Sequence, residues 1–77
     1  MIKVGDVYKD LSEIPMLNHT ITHISDNLIF FITSDRAMFE IVNRPYDKAE
    51  FLRNRERIAE YPTWQEAVNS PEFKGDK

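Results

Sequence analysis

Apolar and polar residues alternate along the first half of this 77-residue chain and fall into a longer period in the second. In residues 2–8, Ile2 and Val4 stand on one face and Lys3 and Gly5 on the other, and the glycine predicts a bend that shifts the alternation. Residues 10–18, with Pro15 among them, predict a loop. Residues 20–24, TITHI, are rich in β-branched side chains, Ser25, Asp26 and Asn27 are turn material, and residues 28–33, LIFFIT, carry the strongest strand signal. Together they predict a hairpin. Ser34, Asp35 and Arg36 make a second turn before a strand over residues 37–43, AMFEIVN.

The period changes after Arg44, Pro45 and Tyr46. Asp47 is a good N-cap with Glu50 three residues on, so the pattern predicts a helix over 48–60, its stripe formed by Ala49, Leu52 and Ala59 beside Phe51 and Ile58. Pro62 ends it. Thr63 and Glu66 repeat the capping pattern and open a short second helix through Asn69, stopped before Pro71. The expected fold class is α+β, a single domain over residues 1–73 with about four antiparallel strands, two C-terminal helices and a disordered tail at 74–77.

Residues 28–32 alternate between two apolar faces, Leu28, Phe30 and Ile32 on one and Ile29 and Phe31 on the other. In a small barrel one face is interior, and the C-terminal helices with Trp64 can cover the other. Left uncovered, Ile29 and Phe31 with Phe39 or Tyr8 would form a patch for a protein partner or a second copy, with Trp64 as a further anchor.

Charge narrows the classes. The formal net charge is −3, yet residues 36–58 hold six basic against four acidic side chains. Three of the arginines lie in FLRNRERI, residues 51–58. On a helix Arg53 and Arg57 share a face while Arg55 falls at the edge of the apolar stripe, so the bland reading is a solvated helix face partly neutralised by Glu50 and Glu56. The alternative is a small nucleic-acid site built from Arg36, Arg44, Tyr46, Arg53 and Arg57, where an aromatic stacks a base and the charges hold phosphate.

Catalytic and metal motifs are not assembled in the sequence. His19 and His23 fall on the same strand face with Ile21 between them, a poor grip on one metal with no third ligand in view. Asp6, Asp10 and Glu13 have no defined spacing, and Ser12, Ser25, Ser34 and Ser70 sit in turn or capping contexts. With no cysteine, thiolate chemistry and disulfides are excluded. The longest apolar run falls far short of the roughly 20 residues of a membrane span, and the N-terminus has no signal-peptide pattern. A non-enzymatic cytoplasmic protein without cofactor or metal is expected.

The run Lys3-Val4-Gly5-Asp6-Val7-Tyr8, the predicted meander and the helix after Arg44-Pro45-Tyr46 resemble the small single-domain accessory proteins of tailed, T4-like bacteriophages, many with an SH3-like β-barrel. The likeness covers about residues 1–58. It implies an SH3-like sheet or barrel and a role at the host interface, binding and modulating or inhibiting a host protein in the host cytoplasm. No functional residue carries over. A nucleic-acid-binding module and a self-associating structural protein, such as a homodimer, are the alternatives.

Overall fold

The computed structural model describes residues 1–12, 17–34, 39–41 and 45–74. In chain order they form β1 (Asp6–Asp10), β2 (Asn18–Ser25), β3 (Leu28–Ser34), β4 (Phe39–Ile41), β5 (Tyr46–Asp47), α1 (Lys48–Leu52), β6 (Arg55–Glu60), α2 (Trp64–Val68) and α3 (Pro71–Lys74). The domain is α+β. Its antiparallel sheet runs β4-β3-β2-β1-β6, and β5 pairs with β3 at Leu28 and Ile29.

The hairpin read from the sequence is β2 and β3, joined at Asp26 and Asn27, with Asp26 in the left-handed region at φ 53°. Aspartate takes that conformation more readily than most residues. Of the strand expected over 37–43, residues 39–41 form β4, and the rest of it, with the second turn at Asp35 and Arg36, lies outside the described residues. Gly5 makes the predicted bend at φ 94°, and a Cβ there would collide with the Tyr61 carbonyl oxygen. The close approach is used: Gly5 N–H donates to the Ile21 carbonyl and Tyr61 N–H to the Gly5 carbonyl, both at 3.0 Å, tying β1 between its neighbours.

The helix expected over 48–60 stops at Leu52. Asp47 caps it as expected, its side chain accepting Ala49 N–H at 3.0 Å. Arg53 N–H then reaches back only three residues, to the Glu50 carbonyl, and the Asn54 carbonyl accepts Leu11 N–H instead of an intrahelical donor. From Arg55 the chain is a strand paired with β1. The cause is tertiary: β1 is buried over most of its length, and its second edge needs a hydrogen-bonding partner. Asp10 faces Arg55 and Lys9 faces Glu56, so the charges of the two strands match in this register.

Each face of the sheet has its own core. Ile2, Tyr8, Ile21, Ile29, Phe31 and Phe51 cluster on one side, with α1 contributing Phe51. Val7, Ala67 and Phe73 cluster on the other beneath α2 and α3. Thr63 caps α2, its hydroxyl accepting Glu66 N–H at 3.2 Å, as the capping pattern predicts. Pro71, expected only to stop that helix, opens α3. Ser70 sets the turn: its hydroxyl donates to the Ala67 carbonyl at 2.6 Å and accepts Phe73 N–H at 3.2 Å.

Candidate functional site

Strand alternation places Asp10 of β1, His19 of β2, Thr33 of β3 and Arg55 of β6 in one row across the sheet. His19 Nε2 lies 3.2 Å from Asp10 Oδ2 and its Nδ1 2.9 Å from Thr33 Oγ1. Arg55 Nη2 reaches the same Asp10 oxygen at 3.2 Å, and Ser12 donates its N–H and hydroxyl to Asp10 Oδ1. The guanidinium carbon of Arg55 sits 4.6 Å from the ring centre of Phe51, 5.1 Å from that of Tyr46 and 5.6 Å from that of Phe31. A cation over three rings adds electrostatic attraction to the ion pair.

Burial pushes the His19 ring down to about 4, helped by the Arg55 charge and opposed by the hydrogen bond to Asp10. Burial alone would raise the Asp10 carboxyl, but the Ser12 and His19 hydrogen bonds and the Arg55 charge hold it below the usual range. The pair is therefore carboxylate and neutral imidazole at neutral pH, with Nε2–H donated to Asp10 and Nδ1 accepting the Thr33 hydroxyl. Carboxylate, imidazole and hydroxyl in a row are the parts of an activated nucleophile. Here Asp10 and His19 are 3% exposed and Thr33 is 7% exposed, so a substrate cannot reach the hydroxyl without opening the sheet. What the row does in this state is clamp four strands.

A second buried carboxylate lies at the other end of β1. Asp6 Oδ2 accepts Lys3 N–H at 3.0 Å and stands 3.7 Å from Arg57 Nη1, while its Oδ1 has no hydrogen-bond partner among the described residues. Burial raises the Asp6 carboxyl, against the pull of the Lys3 hydrogen bond and Arg57.

These two acids hold two of the three arginines of FLRNRERI. Arg55 is committed to Asp10 and the rings, and Arg57 to Asp6 and to Glu60 at 3.3 Å. Arg53 is exposed at the end of α1, and Tyr46 is half-buried with Arg55 on its ring. Of the expected nucleic-acid set, Arg57 is thus paired with carboxylates, Tyr46 carries Arg55 and Arg53 is exposed, while Arg36 and Arg44 lie outside the described residues.

The expected partner patch is also divided. Ile29 is fully buried and Phe31 is 3% exposed, both in the first core, so neither offers surface. Trp64 is half-buried at the start of α2, and the side chain of Phe39 lies outside the described residues. His19 and His23 part company because the β2–β3 register shifts between Ile21 and His23: His19 stays inside and His23 turns out against Phe30.

The sequence reading missed a groove of about 430 Å³, open to solvent, lined by Tyr61, Gln65, Glu66, Asn69, Ser70 and Pro71. It exists because Pro71 starts α3 and folds it beside α2. The Tyr61 hydroxyl donates to Glu72 Oε1, which raises the tyrosine and lowers the carboxyl. Asn69 Nδ2 donates to the Gln65 carbonyl at 3.0 Å. The sequence signal for this site was Pro71 read as an N1 proline behind a serine cap instead of as a stop. No protein-family model, curated protein or solved structure matches the chain.

Proposed function

We propose that this chain is a non-enzymatic protein-binding module whose docking side is the groove between Tyr61 and the α2–α3 pair. One observation carries the reading. The chemically capable side chains Asp10, His19 and Arg55 are spent on one another inside the sheet, whereas the groove is open and its outward side chains Gln65 and Glu66 are exposed. A concave surface with an aromatic and a proline ring, bordered by polar groups, has the make-up of a small protein–protein contact. In the narrower form implied by the likeness to phage accessory proteins, the module is an SH3-like barrel that modulates a host protein. The strand order, with β1 between β2 and β6, supports that finer fold.

The test is capture from nuclease-treated lysate by the immobilised chain, run beside Gln65→Arg, which fills the groove from an exposed helix position and whose folding is checked by circular dichroism. We expect a defined protein to be retained by the wild type and lost with Gln65→Arg. Partners retained only without nuclease would instead favour a nucleic-acid-binding module, and retention indifferent to Gln65→Arg would move docking off this groove.

A further inference from the structure

We propose that the groove receives an arginine side chain of the partner protein, an inference that rests on the docking side assigned above. The argument is an inventory of hydrogen-bonding groups. Three of the groove's hydroxyl and amide donors are turned inward, Tyr61 to Glu72, Ser70 to the Ala67 carbonyl and Asn69 Nδ2 to the Gln65 carbonyl, which leaves the exposed Gln65 amide as a neutral donor. Acceptors remain. Among the described residues Asn69 Oδ1 receives no donor, the exposed Glu66 carboxylate receives the Thr63 hydroxyl at 3.3 Å, and Glu72 accepts the hydroxyl of the lining Tyr61. Among the described residues no basic side chain lines the groove.

Charge complementarity to Glu66 and Glu72 therefore favours an occupant with donors and positive charge, together with an apolar stem to cover the Tyr61 and Pro71 rings. A guanidinium on a three-carbon stem meets all three needs. It offers five donors in a plane that can address two carboxylates and lie against an aromatic ring, whereas an ammonium is a compact, more strongly hydrated charge. The molecule already builds one such seat internally, with Arg55 between Asp10 and the Phe51 and Tyr46 rings. The groove offers the same two kinds of group, carboxylate and ring, on the outside.

The probe is the blocked tripeptide acetyl-Gly-Arg-Gly-amide, titrated into the full ¹⁵N-labelled chain and followed by amide chemical shifts. The comparison is the same peptide with citrulline, which keeps the shape and loses the charge. We expect saturable shifts confined to Tyr61, Gln65, Glu66, Asn69 and Ser70, with affinity on the order of millimolar for so small a ligand. The citrulline peptide should bind roughly tenfold more weakly, and Glu66→Gln should weaken the arginine peptide several-fold with the spectrum otherwise intact.

Equal binding of the two peptides, or shifts spread away from the groove, would overturn the inference. The two readings fail separately. A protein lost with Gln65→Arg but no preference for arginine over citrulline removes the guanidinium and leaves the docking side. An arginine peptide seated in the groove when no protein is captured supports the chemistry and removes the protein-docking reading.

Discussion

A histidine closed in between a carboxylate and a hydroxyl has room for one proton but not two. In the unfolded chain His19 takes up its second proton near the ordinary 6.5, in the folded chain only near about 4, because burial and Arg55 oppose a further charge. Between those values the unfolded state binds more protons, so the stability from this residue is full above 6.5 and is lost as the pH falls toward 4. The loss integrates to roughly 3 kcal/mol. Asp10, held low, adds stability that is present above 3.8 and disappears as the pH drops through its folded value. Asp6 is raised and works the other way, becoming less unfavourable as it protonates. Urea unfolding across pH 4 to 7 should therefore show a falling midpoint on the acid side. His19→Gln, though less stable overall, should flatten that slope, and His23→Gln at the exposed position should keep it. An unchanged slope in His19→Gln would remove the histidine as its source.

The same row of residues explains which elements could be read from sequence. The β2–β3 hairpin is local: alternation, β-branching and an Asp-Asn turn all lie within residues 18–34 and agree with one another. The caps at Asp47 and Thr63 are local too, each a side chain bonding a backbone N–H two or three residues on. Residues 53–60 are different, because their apolar spacing satisfies a helix stripe and a bulged strand alike. The choice is made by β1 far away in sequence, through Asp10 with Arg55 and Asp6 with Arg57, and a bulge near Ile58 turns it and Ala59 to the second core together. The candidate site failed to show for a different reason. Its lining falls within residues 61–71, and it emerges only when Pro71 behind Ser70 is taken as the start of α3 and not as a stop. Alanine substitution separates the three arginines of this strand and its approach. Arg55→Ala leaves a buried Asp10 charge without its guanidinium and should cost about 3–5 kcal/mol. Arg57→Ala should cost less, since that side chain is 40% exposed. Arg53→Ala should stay within about 0.5 kcal/mol. Thermal or urea unfolding gives the order directly, and equal effects at the three positions would remove the distinct roles of Asp10 and Asp6 in holding Arg55 and Arg57.

At the scale of the molecule, a single sheet with an apolar core on each side must be covered twice. The first side is closed by Phe51 of α1, while the second depends on two short helices near the C-terminal end. α3 has only four residues, too few to be stable alone, so its place is set by packing and by the Ser70 cap. Phe73 is the anchor, fully buried with Val7 and Ala67, and the backbone around it is fastened to β2 by Asn18 Nδ2, which donates to the Glu72 carbonyl at 2.8 Å. The groove inherits this dependence, because Pro71 and the Glu72 carboxylate hold their positions only while Phe73 is seated. Phe73→Ala should cost about 3–5 kcal/mol, a large fraction of what a chain of this size has to lose. Glu72→Gln should leave the unfolding midpoint close to wild type, since its side chain bonds Tyr61 at the surface and fills no core. The two substitutions thus divide support from recognition. Loss of partner capture in Phe73→Ala would follow from a lost cover, whereas loss in Glu72→Gln with an unchanged midpoint would belong to the groove itself. A Phe73→Ala midpoint equal to wild type would mean that α3 does not carry the second core.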